Sequence, residues 1–265
     1  NTKEINMAED KRQFPTEVID LPSKGALYSK DSPLASGTIE LKYMTAREED
    51  ILTSQNLIRK GIVIDKLLES LVVDKAINLD DILIGDKNSI MVAARILGYG
   101  KNYDFELNCP SCGEINKDGI DLTSLKDKKI DHSHFKSGAN EFSFKLPTSK
   151  RTITFKLLTQ RDEREVDNEL KALKKISAGS SIDYEVTTRL KKAVQSIDGD
   201  SDPISVNKFV ENEFLSMDSL AFRDHLKELT SDIDMDYLFT CELCGFDQEV
   251  TVPMTVQFFW PSAGK

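Results

Sequence analysis

Cys109-Pro110-Ser111-Cys112 and Cys241-Glu242-Leu243-Cys244 hold all four cysteines of this 265-residue chain in two tight pairs. In a chain with no export signal, paired C-x-x-C units read as metal ligands before they read as structural disulfides. Gly follows each second cysteine (Gly113, Gly245), and an aromatic strand-like run precedes each pair, Tyr103-Asp104-Phe105 and Tyr237-Leu238-Phe239. A hairpin turn of this form points both sulfurs inward. Backbone N–H groups at the turn reach the thiolates, and Gly accepts the left-handed conformation after the second ligand. One such knuckle offers two sulfurs, whereas a closed zinc site takes four at about 2.3 Å. The reading therefore needs both knuckles, although residues 113 through 240, 128 in all, lie between them.

An internal repeat answers the distance. Leu21-Pro22-Ser23 precedes the strand-like Gly37-Thr38-Ile39-Glu40-Leu41-Lys42-Tyr43, which leads into Met44-Thr45-Ala46-Arg47-Glu48-Glu49. In the same order, Leu146-Pro147-Thr148 precedes Arg151-Thr152-Ile153-Thr154-Phe155-Lys156-Leu157, which leads into Leu158-Thr159-Gln160-Arg161-Asp162-Glu163. Thr45 and Thr159 lie 114 positions apart, Val92-Ala93-Ala94-Arg95 matches Leu220-Ala221-Phe222-Arg223 at 128, and the cysteines match at 132. Ordered landmarks at a slowly growing offset are what a duplication with loop insertions leaves. Two pseudo-symmetric lobes packed face to face would bring equivalent turns together, and all four sulfurs, Cys109, Cys112, Cys241 and Cys244, would clamp one ion.

The expected class is α+β: two duplicated lobes, each a strand followed by helices and a C-x-x-C hairpin. Residues 37–43 alternate apolar and polar, the period of a half-buried strand. Thr45 with Glu48 forms a capping box and Thr159 with Asp162 a weaker copy. The first helix runs to about Lys60, stopped by Gly61. Further helices are expected over 62–72, from Asp86 to before Gly98, and over 160–178, 183–197, 206–214 and 217–229, with a short piece over 79–84. Strands flank the knuckles at 103–108, 115–122, 237–240 and 248–254. The lobes are placed at 15–123 and 141–256, joined by a charged linker over 124–140, with a flexible arm over 1–14 and an aromatic tail over 257–265.

Other uses of the cysteines fit less well. A thioredoxin-like pair sits at a helix N-terminus, not between strands. Four unliganded buried cysteines would not explain the repeated spacing. A four-thiolate iron site remains open, since spacing alone does not separate zinc from iron. A closed four-thiolate zinc site has no open position for water, so it holds structure and does no chemistry.

The remaining composition is consistent with a non-enzymatic protein. With 45 acids against 35 bases the net charge is −10, which disfavours a general nucleic-acid binder or a polybasic membrane-surface protein. The most apolar stretch, 61–73, contains Asp65, Lys66 and Glu69 and does not span a bilayer. Residues 1–12 are polar and lack a signal-peptide core. No Met stands at position 1, so a few residues are expected to precede it. His132-Ser133-His134 has no third ligand, and His225 reads as a helix-surface or packing residue. Asp198-Gly199-Asp200-Ser201-Asp202 opens like a calcium loop, but Pro203 and Phe209 occupy the positions that need Gly and Glu. Gly98 and Gly100 lack the setting of a dinucleotide site, and no phosphate loop, nucleophile elbow or zinc-protease motif is present. The C-terminal Val256-Gln257-Phe258-Phe259-Trp260-Pro261 concentrates three aromatics. Phe258, Phe259 and Trp260 either close the chain's own core or anchor in a neighbouring subunit.

The run Phe14-Pro15-Thr16-Glu17-Val18-Ile19-Asp20-Leu21-Pro22-Ser23, the run Gly37 through Leu52, and Asn56-Leu57-Ile58-Arg59-Lys60-Gly61-Ile62-Val63-Ile64-Asp65-Lys66-Leu67 resemble the baseplate protein family of T4-type contractile-tailed phages. That family includes tail-hub subunits and hub-assembly proteins. The likeness extends from Phe14 to Cys112; the internal repeat carries it into the second half. The resemblance implies a non-enzymatic structural component of the virion tail baseplate, assembled in the host cytoplasm with other hub proteins, tail tube or tape measure in a hetero-oligomeric assembly, with no catalytic residue carried over. An assembly chaperone absent from the mature virion and a zinc-ribbon nucleic-acid adaptor are the alternatives.

Overall fold

In the computed structural model, residues 15–132, 135–176, 183–254 and 256–259 are described; the expected arm over 1–14 lies outside them. Strand β1 (Thr16–Asp20) pairs antiparallel with β2 (Thr38–Lys42), and β2 turns Ile39 and Leu41 into the core as its alternation predicts. Thr45 caps α1 (Ala46–Thr53) through a complete capping box with Glu48. The helix expected to run to Lys60 breaks at Ser54 and resumes as α2 (Gln55–Lys60), which Gly61 ends at φ 70°. The Thr53 hydroxyl donates to the carbonyls of Glu49 and Asp50 just before the break, the local competition by which Ser and Thr bend helices.

Helix α3 (Val63–Leu71) buries Val63, Leu67, Leu68 and Leu71 along one stripe. After a 3-10 turn at Leu79–Asp81, α4 (Ile84–Tyr99) runs through Gly98, past its expected end. Gly98 is there for packing: a Cβ would lie 2.4 Å from the Met44 sulfur. Strands β3 (Asn102–Asn108) and β4 (Ile115–Asp121) form the first knuckle hairpin.

The expected linker includes a two-residue strand, β5 (Lys126–Asp127). Its Gly138 N–H bonds to Ala26 O at 2.8 Å, and the Phe135 ring meets Phe142 edge-on. Strands β6 (Phe142–Lys145) and β7 (Thr152–Phe155) follow, then α5 (Gln160–Ile176) and α6 (Glu185–Ala193). Residues 177 and 178 of the expected helix are outside the described set. The helix expected over 183–197 ends at Ala193. Its last four residues are instead β8 (Val194–Ile197), which joins β7 antiparallel. Buried Val194 and Ile197 and a 2.6 Å hydroxyl pair between Thr154 and Ser196 fix that edge, so cross-strand pairing overrides the helical pattern.

The acidic turn at 198–202 links β8 to α7 (Pro203–Asn212). Asp198 accepts the Thr152 N–H, and Asp202 caps α7 by accepting the Ser205 N–H. Helix α8 (Ser216–Leu229) leads to β9 (Ile233–Asp234), which pairs with β5. The second knuckle hairpin is β10 (Asp236–Thr240) with β11 (Asp247–Thr251).

Apolar side chains from both halves merge into one core, from Leu21 to Phe259. Each half also buries an aspartate at the third position of a helix. Asp86 on α4 accepts the Ser23 N–H and hydroxyl at 2.9 and 2.7 Å; Asp218 on α8 accepts the Thr148 and Ser149 N–H groups at 2.6 and 3.0 Å. These two lie 132 positions apart (86 to 218), as the cysteines do. The expected match of Arg95 with Arg223 at 128 does not hold in space: Arg95 is buried, whereas Arg223 is exposed and donates to Ser219 O of its own helix.

Arg95 binds three carbonyls, Phe258 at 2.8 Å, Gly100 at 2.9 Å and Asn102 at 3.0 Å. It therefore ties α4 to β3 and to the last described 3-10 turn, Val256–Phe259. Replacing it by Met strands buried acceptors and costs about 2–4 kcal/mol, read as a lower denaturant midpoint. Glu48 gives a pH dependence. Burial raises its pKa, but donors on Lys42 (2.7 Å), Ser70 (2.6 Å) and Thr45 outweigh that and hold it at about 2, below the ordinary 4.5. Its stabilisation is complete above pH 4.5 and is lost as the pH falls toward 2. The variant Glu48→Ala should lose about 1–2 kcal/mol at neutral pH and show a shallower acid limb in melting curves.

Candidate metal centre

Each knuckle is set by its own hairpin. In the first, register places Asn108 opposite Ile115, the Cys109 N–H bonds to Glu114 O at 2.8 Å and the Gly113 N–H to Cys109 O at 2.8 Å. In the second, Thr240 faces Asp247, and Cys241 N–H to Phe246 O and Gly245 N–H to Cys241 O are both 2.9 Å. Gly113 and Gly245 take φ of 76° and 67°, the left-handed conformation expected after the second cysteine.

The two turns meet. Sγ of Cys109 lies 3.7 Å from Sγ of Cys244, and Sγ of Cys112 lies 3.7 Å from Sγ of Cys241. All four ligand atoms fall within 4.8 Å of one another. Sulfurs bound tetrahedrally at about 2.3 Å stand about 3.8 Å apart, so this cage has the size of a single-ion shell. Four cysteines separated by more than a hundred residues thus lie close enough to hold one metal ion. Cys109 and Cys241 are buried with Phe239 in a small cluster of their own, flanked by Leu107, Tyr237, Phe246 and Val250. The Phe105 and Tyr237 rings meet edge-on at 5.6 Å, and the Tyr237 hydroxyl donates to Asp118 at 3.2 Å, fastening one hairpin to the other.

Asn116 is the residue that sequence reasoning missed. Buried on β4, its amide donates to Cys241 Sγ at 3.6 Å, and its Oδ1 accepts the Glu242 N–H at 3.0 Å. It reaches from the first hairpin to the second knuckle, while Gln248, the matching position of the second hairpin, is exposed. The signal was a polar side chain on the inward-facing phase of a strand.

The surroundings pull Cys241 and Cys112 in opposite directions. The Cys244 N–H, with the Leu243 N–H and the Asn116 amide, outweighs desolvation and draws Cys241 down to about 6. Cys112 receives a lowering backbone bond from Glu114, yet desolvation and the three neighbouring sulfurs push it up to about 12. Adjacent thiolates repel one another; a cation between them lets all four ionise together.

The other candidates fall elsewhere. Phe258 and Phe259 are fully buried in the chain's own core, with Phe258 edge-on to Tyr103 at 4.8 Å, so these two rings take the core-closing option instead of anchoring in a neighbour. Trp260 and His134 lie outside the described residues. His132 meets Phe135 edge-on, and His225 stacks on Phe144 at 4.6 Å. No described helix is long and apolar enough to cross a membrane.

A family model described as T4 bacteriophage base plate protein matches residues 16–260, nearly the whole chain. No curated protein and no solved structure matches it.

The variant Asn116→Ala removes one thiolate donor and the acceptor of the Glu242 N–H. Its affinity for a bound metal should fall about 10-fold or more, measured by chelator competition on the full chain.

Proposed function

The chain belongs to the T4 bacteriophage base plate protein family, and from that premise we propose a non-enzymatic structural component of the baseplate hub, built as two duplicated lobes clamped by one zinc ion. Membership implies a structural role in the virion tail baseplate, with other baseplate proteins as partners. The finer reading places the chain in the hub, assembled in the host cytoplasm beside hub, tube or tape-measure proteins.

The observation that carries this reading is the four-sulfur cage, with its 3.7 Å contacts and 4.8 Å limit. It fits a single tetrahedral ion, too tight for a cluster of several irons between the sulfurs, and zinc is the ordinary occupant of such a site. Four thiolates fill the shell and leave no position for a reacting water, which favours a structural over a catalytic part.

Matched local geometry supports the duplication. Leu21 and Leu146 are both buried before a Pro, and each carbonyl accepts a lysine N–H in the following turn, from Lys24 three residues on and from Lys150 four residues on. Lys42–Glu48 and Lys156–Asp162 are equivalent ion pairs at 2.7 Å. Val72 and Val194 end α3 and α6 with nearly equal dihedrals, and each bridges to the strand of its own half, at Leu41 and Phe155. Leu83 and Leu215 cap α4 and α8 at φ −63°, ψ 146° and φ −62°, ψ 144°. On this reading the lobes are 15–123 and 141–256, joined by 124–140.

Native mass spectrometry with X-ray absorption should find one zinc per chain. Chelation or Cys112→Ser should lower the melting temperature by about 10 °C, on a loss of roughly 3–5 kcal/mol. A metal-free native mass with four freely titrating thiols would refute the clamp. Quantifying the protein in purified intact tails tests the role: stoichiometric retention supports a structural part, and presence only in assembly intermediates would make it a chaperone.

A further inference from the structure

We propose that the open face at the start of α8 docks the first lobe of a second copy of this chain, so that copies join head to tail. The inference rests on the duplication read above. It starts from a face that is covered in one half and bare in the other.

In the first half, the opening of α4 is buried by the second half at three positions. Leu83 bridges to Thr159, Gly85 meets the Ser231 backbone so closely that a Cβ would lie 1.7 Å from its carbonyl oxygen, and the Asn88 amide donates to the Asp232 carboxylate at 3.1 Å. Beside them Arg161 donates to Asp81 at 2.7 Å. The matching positions of α8, 132 residues on, are Leu215, Met217 and Leu220, exposed to 47%, 65% and 46%. Three large apolar side chains at solvent on one helix opening need a partner more than three polar ones would.

The occupant is named by the same correspondence. What covers α4 is residues 158–160 with 231–232; their counterparts in the first lobe are 44–46, at an offset of 114, and 99–100, at 132. That surface belongs to the first lobe and is partly open: Ala46, Arg47 and Gly100 are exposed, and a Cβ on Gly100 would meet nothing within 4 Å. The chemistry changes in step on both sides. Where Asn88 meets Asp232 the contact is polar and Gly85 leaves room for the Ser231 carbonyl. In the second setting Met217 and Leu220 bring bulk and apolar surface, while Tyr99 and Gly100 bring an aromatic ring and a gap. The signs of charge also correspond, Arg47 standing for Arg161 and Glu213 for Asp81, and within one chain Glu213 is held by Arg151 at 3.1 Å, which an incoming Arg47 would share or displace. A contact between two different faces either closes into a ring, of which a dimer is the smallest, or continues as a chain.

Sedimentation of the full chain over about 1–100 μM tests this. The expected result is a mean mass rising with concentration above the 29.8 kDa of one chain. Leu220→Asp spoils the accepting face and Arg47→Glu the docking face; each alone should weaken association about 10-fold or more. Both residues are exposed, so melting temperatures should stay unchanged. Mixed together, the two variants should recover a one-to-one pair, since one keeps an intact docking face and the other an intact accepting face. A mass of one chain throughout, association indifferent to both substitutions, or a mixture that behaves like either variant alone would overturn the proposal. Capture of a different baseplate protein by a monomeric chain through the same face would also overturn it. A chain that binds zinc and is retained in tails yet stays monomeric refutes this contact while leaving the structural reading intact.

Discussion

Four sulfur atoms within 4.8 Å of one another, drawn from residues 109–112 and 241–244, set the constraint around which the two hairpins are arranged. Such atoms repel as thiolates and gain little from each other as thiols, and their spacing is one that could hold a metal ion. The hairpins that carry them have only a small apolar cluster of their own around Phe239. Beyond it, the hairpins are joined by the sulfurs, the Phe105–Tyr237 ring contact, the Tyr237–Asp118 bond and Asn116 reaching across to Cys241 and Glu242.

Away from the knuckles, the same chain is held by buried carboxylates and a single arginine. Asp86 and Asp218 each anchor a Ser- or Thr-containing turn to the first turn of a helix, where a carboxylate also favours the helix dipole. Arg95 collects three carbonyls that strand and tail would otherwise leave unpaired. Arg95 fixes α4 between the first hairpin and the tail, while Asp86 and Asp218 each brace a turn of their own half. The halves are joined instead where the start of α4 meets the second half, through Ile84 N–H on Leu158 O, Gln160 N–H on Ile82 O and the Asn88 amide on Asp232.

The asymmetry between the halves matters as much as their likeness. Gly85 and Met217 hold matching helix positions, but one lies under a neighbouring backbone and the other in solvent. Water is removed from exposed apolar side chains at less cost than from charged ones, so on an otherwise acidic chain these are the positions where burial against another surface is least costly.

Much of the local structure was legible in residue types and spacing. The knuckle turns follow from C-x-x-C-G, the capping boxes from Thr three residues before a carboxylate, and the stop at Gly61 from its left-handed freedom. Each depends on contacts a few residues apart, so the amino-acid sequence by itself determined them. It also placed the four cysteines in one site, because the echo between the halves stood in for the missing long-range information. What only the tertiary structure decided is long-range: Val194–Ile197 as a strand against β7, Gly98 as a packing glycine under Met44, Asn116 beside the sulfurs, and Phe258 and Phe259 in the core. Those outcomes hang on partners tens to more than a hundred residues away, and local periodicity carries no mark of which distant surface will arrive.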